Sequence, residues 1–408
     1  MATQILPRLY DVSIPLLGKQ KSRPFLEALQ HIEYGHMTVI TPDGNGLEFS
    51  GPEKGPTAFL RLYDWQVLDD LVAHGEMGFA KAYIDGRWDT NDLPALLTFG
   101  LVNSRSLEKF FHGHPLAAML ARIRYLFQGN SLRGSKRNIM AHYDLGNDFY
   151  ELWLDKGMTY SCALFEGDET RSLEDAQTAK YRRILTKIAA SPGDHILEIG
   201  CGWGGFAQEA ARYGLKVTGV TLSPEQASYA RERLYRAGLH QQARIELTDY
   251  REVTGTFDHV VSIGMFEHVG EKYWPVYFDT IKKRLKPGGK ALVQSITLDD
   301  YLFESLHGYS GFIEQVIFPG GMLPSKSRFQ AAATRAGLKC REMYGFGQDY
   351  TRTLKHWLAR FEAHKAEIKD LGYDEAFMRL WRFYLASCIA SFTSRRTDVM
   401  QAELEHAA

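Results

Sequence analysis

The sequence predicts an α/β protein: a doubly wound, mainly parallel sheet preceded by a smaller α+β domain. Two observations carry this. From about residue 190, the runs HILEIG, KVTGVTL, ARIELTD, HVVSIG and KALVQSI alternate with helix-spaced or loop segments, the rhythm of strands joined by crossover helices. Before residue 115 that rhythm is absent, and short alternating segments give way to helical ones.

In chain order, residues 37–64 alternate apolar and polar side chains around Asp-Gly and further glycines, which reads as short strands joined by turns. WQVLDDLVAHG, GFAKAYID and DLPALLTFG have helical spacing interrupted by glycine. These segments define a small domain over residues 1–115, a basic connector over 116–140 and a main domain over 141–408. In the main domain a strand ending at Ile199 leads to a helix from Trp203 to Tyr213, and a second, ending at Leu222, to a helix from Pro224 to Ala237. The third ends at Asp249 in a loop; the fourth ends at Ile263 and precedes a helical segment reaching about Tyr277, and KALVQSI closes the series. In such sheets ligands sit beyond the carboxyl ends of the strands, so functional residues should follow Ile199, Leu222, Asp249, Ile263 and Val293.

Composition excludes several classes. The chain of 408 residues is 45% hydrophobic and 24% charged, ordinary for a globular protein with a sizeable core. Cys162, Cys201, Cys340 and Cys388 show no C-x-x-C or metal-ligand spacing, which fits a reducing cytoplasm and speaks against a disulfide framework or structural zinc. No metal is expected. The first twenty residues lack the pattern of a secretion signal, and no apolar run reaches the roughly 18–20 residues of a membrane-spanning helix. A net charge of -1 gives no reason to expect nucleic acid. Between Glu108 and Asp144, however, there is no acidic residue, while Lys109, Arg122, Arg124, Arg133, Lys136 and Arg137 all fall there. At about 1 kcal/mol per basic residue near an anionic surface, this stretch can hold the protein reversibly on a membrane; the alternative is a solvated basic linker.

LEIGCGWGG (197–205) raises the central question of cofactor. Gly200, Gly202 and Gly205 fit the G-x-G-x-x-G of nicotinamide enzymes, while Glu198 with Gly200, Gly202 and Gly204 fits a turn that holds S-adenosylmethionine. A tight strand-to-helix turn needs glycine whatever it binds, so the turn alone does not decide. The acid that usually bonds the ribose at the second strand's end is missing, since Thr221, Leu222 and Ser223 stand there and Glu225 lies inside the next helix. Glu198, inside its strand, is placed to orient the turn or meet an ammonium group, and Asp249 and Tyr250 are placed for an adenine amino group and ring. These details favour S-adenosylmethionine.

Several segments together resemble the cyclopropane-fatty-acyl-phospholipid synthase family: GFAKAYIDGRWD, HYDLGNDFYELWLDKGMTYSCALF (142–165), LEIGCGWGG, VTLSPEQ (220–226), GMFEHVG (264–270), IFPGGMLPS (317–325) and FGQDYTRTLKHW (346–357). The resemblance runs from about residue 60 onward, and the order and spacing of its motifs make it highly specific. It implies a Rossmann-like methyltransferase sheet with acyl-binding insertions, and a small domain available for lipid binding. The implied activity is methyl transfer from S-adenosylmethionine to a double bond in an unsaturated phospholipid acyl chain. The resulting carbocation needs aromatic faces and a nearby anion, and a bicarbonate serves as the base in members of the family.

Carried over by position, the bicarbonate site comprises the backbone N–H of Cys162, Glu267, the backbone N–H of Ile296, and Tyr350. Where the family commonly has a histidine, VQSI places Gln294, which can donate a hydrogen bond but carries no proton or positive charge. Gly200, Gly202, Thr221, Leu222 and Gln226 fall around the cofactor's methionine and ribose, with Tyr160 and Ser161 assigned to the same site. His268 is read as orienting or structural, and the aromatics of HYDLGNDFYELW and RLWRFYLASCIASF line an acyl tunnel or fill the core. A methyl or methylene branch without ring closure is the second product expected, and a non-catalytic lipid-binding protein the distant alternative. The expected location is the cytoplasm, peripherally on the membrane. Oligomeric state stays open, a homodimer being one option.

Overall fold

The computed structural model describes residues 23–111, 145–305 and 311–407. The chain forms two compact units, Met1–Ala118 and Met119–Ala408. The basic stretch with Arg122, Arg124, Arg133, Lys136 and Arg137 lies outside the described residues.

In the first unit α1 (Arg23–Leu29) precedes strands β1 (Tyr34–Ile40), β2 (Gly46–Ser50) and β3 (Glu53–Leu62). Then come α2 (Gln66–Ile84), β4 (Trp88–Asp89), α3 (Leu93–Val102) and α4 (Ser104–Phe111). The sheet order is β2-β1-β3-β4. The interruption expected at glycine is a kink rather than a break, because Gly75 takes φ 62, ψ −144 inside α2. The buried Asn103 amide ties α3 to the sheet: its oxygen accepts the Glu33 and Tyr34 N–H groups, both at 2.9 Å, and its nitrogen donates to the Tyr34 carbonyl.

Among the described residues the second unit opens with α5 (Asn147–Glu151) and α6 (Leu173–Lys187). The alternating series follows as β5 (His195–Ile199), α7 (Gly205–Arg212), β6 (Lys216–Thr221), α8 (Pro224–Arg236), β7 (Ala243–Leu247), β8 (Phe257–Ile263), α9 (Trp274–Arg284) and β9 (Leu285–Leu298). Beyond it lie α10 (Asp300–Ser305), a π-helical turn (Ile313–Ile317), α11 (Lys326–Arg335), β10 (Leu338–Gly345), α12 (Gly347–Ala363), α13 (Lys365–Asp370), α14 (Glu375–Thr393) and β11 (Thr397–His406). The sheet order is β10-β11-β9-β8-β5-β6-β7. The five strands read from the sequence form its parallel part, and β11 runs antiparallel to both neighbours.

One expectation needed correction, and two strands had no counterpart in the sequence reading. The segment after β8 is two short 3-10 turns, Phe266–His268 and Glu271–Tyr273, and its helix begins at Trp274 and runs to Arg284, well beyond Tyr277. The edge strand β10 and its neighbour β11 were not anticipated. Both faces of the sheet are covered: Ile196, Val217 and Leu292 pack under α6, α7 and α8, while Leu197, Val220 and Val293 pack under α9 and α11. Strand order reverses beside β5, so a crevice opens beyond the ends of β5 and β8.

Candidate active site

A cleft lies at that crevice, and all ten residues assigned to the cofactor line it, from Tyr160 and Ser161 to Asp249 and Tyr250. Its floor is the glycine turn. Gly200 takes φ +80, and a Cβ there would stand 3.0 Å from Met265 Cβ and Cγ; Gly204, at φ +80, would meet Ala230 Cβ at 2.9 Å. Side chains are therefore excluded where the backbone must turn left-handed against a neighbour. At Gly202 nothing lies within 4 Å, so the backbone there is open to a ligand.

The end of β6 is neutral, as the sequence indicated. Thr221 Oγ1 donates to Gln226 Oε1 at 2.9 Å, and Ser223 caps α8 by accepting the Gln226 N–H. Asp249 is less free than expected, since both its oxygens are taken by Arg251, from Nε at 2.8 Å and from Nη2 at 2.7 Å. It is buried in that pair and meets a ligand only through remaining lone pairs. Glu198 Oε2 is buried without a hydrogen-bond partner among the described residues, and burial pushes its carboxyl well above the usual range.

Residues 158–161 form the opposite wall and hang from α6. Gln177 Nε2 donates to the Ser161 carbonyl at 2.9 Å, and Lys180 Nζ donates to Ser161 Oγ and Gln177 Oε1, both at 2.7 Å. Lys180 is fully buried, and burial lowers its ammonium to about 7, against the attraction of the Asp155 carboxylate. Sequence reasoning missed this residue. On a helix its spacing is that of any solvated lysine, and only the fold turns it inward.

Glu267 sits in the 3-10 turn after β8, next to cleft-lining Met265 and His268. Its Oε1 accepts the Ile296 N–H at 2.6 Å, and its Oε2 is buried without a partner among the described residues. Burial raises its carboxyl to about 7, against the Ile296 hydrogen bond. The Ile296 N–H, expected to face an anion, is thus given to Glu267. Gln294 is buried two residues earlier on β9, its carbonyl oxygen accepting from the Gly264 N–H at 2.9 Å and its Oε1 from Gln401 Nε2 at 3.0 Å. Cys162 is a buried thiol whose Sγ donates to the Ala163 carbonyl at 3.2 Å, and burial pushes it far from thiolate. Its side chain is therefore a buried neutral thiol rather than a nucleophile. Tyr350, on α12, packs edge-on to Trp357 at 5.8 Å.

An aromatic wall adjoins these groups. Tyr160 packs against Trp357 at 5.3 Å and Phe318 at 6.4 Å, and its hydroxyl bonds the Tyr384 hydroxyl at 2.8 Å. Phe149, by contrast, is fully buried against Trp153, Phe377 and Trp381 and belongs to the core. His268 lines the cleft edge-on to Phe318, and burial lowers its imidazole to about 4, so it is neutral at neutral pH.

Residues 130–402 match the mycolic acid cyclopropane synthetase family. The chain belongs to this family. It is 36% identical over 348 residues to the cyclopropane-fatty-acyl-phospholipid synthase of Escherichia coli, covering 84% of this chain and 87% of that one. It is 34% identical over 377 residues to the tuberculostearic acid methyltransferase of Mycobacterium tuberculosis, covering 90% and 86%. Among solved structures, a mycolic acid cyclopropane synthase complexed with SAH and CTAB superposes with a TM-score of 0.61 at 31% identity, over 66% of this chain and 97% of that one.

Membership makes this chain an S-adenosylmethionine-dependent methyltransferase, and the cleft suits that cofactor on its own terms. The open backbone at Gly202 admits a close approach, the neutral end of β6 suits ribose hydroxyls, and unpartnered Glu198 Oε2 suits an ammonium group. Among the described residues no helix is long and apolar enough to cross a membrane.

Proposed function

We propose that this family member adds a methylene group to the double bond of an unsaturated phospholipid acyl chain, closing it to a cyclopropane. The observation that carries the reading is Glu267: one oxygen is fixed by the Ile296 N–H, while the other is buried and unpartnered among the described residues, beside the cleft. A buried carboxylate oxygen left open costs on the order of 1–3 kcal/mol, which a ligand with a hydrogen to give would recover. Bicarbonate has such a hydrogen, and when bound it would supply the base. Glu267 would accept its O–H, while Gln294 Nε2, the Tyr350 hydroxyl and the Cys162 N–H would donate to its other oxygens.

S-adenosylmethionine, when bound, supplies an electrophilic methyl group. The chain's own part is to hold the alkene in line with that methyl and to keep water out, which is mainly a positional gain. Tyr160, Phe318 and Trp357 offer aromatic faces to the positive charge that develops on the acyl chain. Loss of one proton from the added methyl then closes the ring, for a net gain of CH2. We place the enzyme in the cytoplasm on an anionic membrane surface, with the first unit as a lipid-binding element.

A second product, a methyl or methylene branch without ring closure, is favoured by Gln294 at the usual histidine position and by the relative whose name reads tuberculostearic acid methyltransferase. The test is the mass and double-bond count of lipids made by the purified enzyme, with and without bicarbonate. A product heavier by one CH2 with one double bond fewer, formed faster with bicarbonate, is expected. A branched product that keeps its double bond and forms regardless of bicarbonate would replace this reading with the second.

A further inference from the structure

Gln294 is held by a buried relay whose direction is set at its far end. On α6, Arg183 Nη1 donates to Gln401 Oε1 at 2.6 Å, and Gln401 Nε2 donates to Gln294 Oε1 at 3.0 Å. The two glutamines face each other in the β9–β11 register, and both are buried. Arg183 is itself anchored: Nη2 donates to Glu342 Oε1 at 3.2 Å, and the guanidinium lies 4.0 Å from the Tyr344 ring centre. Glu342 also takes the Lys187 ammonium at 2.5 Å.

Amide oxygen and nitrogen are nearly alike in shape, so the direction of an isolated glutamine is ambiguous. Here it is not. A guanidinium has only donors, so the Gln401 atom facing Arg183 must be oxygen and its NH2 must face Gln294. The Gln294 atom facing Gln401 is then oxygen as well. Its NH2 is the arm turned away from β11, while its backbone carbonyl is already taken by Gly264. On the side away from β11 lies β8, where Ile263 pairs with Gln294 and, with Gly264, lines the cleft.

We infer that Arg183, acting through Gln401, is a positioning device that locks the Gln294 amide with its N–H donors toward the anion site, so that a neutral glutamine does the binding work of a histidine. The relay also polarises that donor, since bonds in a chain reinforce one another and this one starts at a full positive charge. It gives Gln294 no proton to exchange. Gln294 therefore binds the anion and takes no part in proton transfer.

The inference rests on the anion reading above, and the experiment separates the two. Gln401→Glu is nearly isosteric: its carboxylate accepts from Arg183 and equally from Gln294, so the Gln294 amide must turn, sending its NH2 to β11 and its oxygen toward the anion. Every internal hydrogen bond survives, yet the donor becomes an acceptor. The half-saturating bicarbonate concentration for product formation should rise roughly 10-fold or more, the scale of a hydrogen bond to a charged group. S-adenosylmethionine affinity and melting temperature should stay near wild type. The Gln294 side-chain amide resonances should shift on adding bicarbonate to the cofactor-free wild type and stay put in the variant. Adding Gln294→His to Gln401→Glu should restore the bicarbonate response, because an imidazolium donates from both nitrogens. A Gln401→Glu enzyme with wild-type bicarbonate response and amide shifts overturns the relay and leaves the anion reading standing. A wild type indifferent to bicarbonate in both readouts overturns the anion reading, and the relay with it.

Discussion

Two buried charges decide how the site behaves with pH, and they pull in opposite directions. Glu267 is raised to about 7 by burial, so it is increasingly ionised above neutrality and able to accept a hydrogen bond through Oε2. Turnover should rise as pH passes through about 7. Glu267→Gln should remove that limb and lower turnover roughly 100-fold or more, with cofactor affinity little changed; a variant turning over near the wild-type rate would take Glu267 out of the chemistry. Linkage gives the stability counterpart. With the folded value above the unfolded one, the Glu267 contribution is complete below about 4.5 and lost as pH rises through about 7. Lys180 has the opposite sign: its folded value falls from 10.5 to about 7, so its contribution is complete above the unfolded value and lost as pH falls through about 7. Chemical denaturation of the wild type and Lys180→Met from pH 9.5 to 6 should show the wild type losing relative stability as pH drops. A difference that stays flat over that range would mean that Lys180 is better solvated than its full burial implies.

The elements divide by how locally they are encoded. The turn between β5 and α7 was legible because glycine at 200, 202 and 204 announces left-handed backbone, and all three adopt positive φ. The neutral end of β6 was legible for a similar reason: Thr221, Ser223 and Gln226 are neighbours whose hydrogen bonds close among themselves. β11 was not legible. It carries Asp398, Gln401, Glu403 and Glu405, yet it lies mostly buried inside the sheet, because Lys326 pairs with Asp398, Arg183 with Gln401 and Lys290 with Glu403. Each partner is more than 70 positions away, so no local pattern reveals the pairing. The residues that the resemblance assigns to an anion site, Cys162, Glu267, Gln294, Ile296 and Tyr350, are likewise scattered along the chain, and it was motif resemblance rather than periodicity that grouped them. The turn itself can be tested. Gly200→Ala puts a Cβ 3.0 Å from Met265 at φ +80, a backbone region costing about 1–2 kcal/mol for other residues. Cofactor titration should show at least a 10-fold loss of affinity and thermal melting a lower midpoint. Wild-type values in both would show that the turn tolerates a side chain and is not shaped by contact with Met265.

At the scale of the whole molecule, the proposed reaction demands that a chain dissolved in a bilayer reach a cleft at the carboxyl edge of a sheet in a protein that, in its described residues, has no membrane-spanning helix. Net charge does not bring it there, being -1 over the full chain. What remains is local: the run between Glu108 and Asp144 has no acidic residue and carries Arg133, Lys136 and Arg137 near its end, just ahead of the motif that begins at His142. Several basic residues at about 1 kcal/mol each suffice for reversible attachment to an anionic surface, and reversibility suits an enzyme that must leave one lipid for the next. Attraction between charges at a membrane surface is screened beyond about 10 Å at 0.1 M salt, so attachment should weaken as salt rises. Replacing Arg133, Lys136 and Arg137 together with glutamine should reduce sedimentation with vesicles rich in phosphatidylglycerol and flatten the salt dependence of what still binds. Methylation of the same lipid dispersed in detergent should be largely spared, because the cleft residues are untouched. If vesicle binding and its salt dependence are unchanged, the stretch is a solvated linker and the membrane contact must be sought elsewhere in the chain. If binding and detergent activity fall together, the basic residues support the catalytic unit itself.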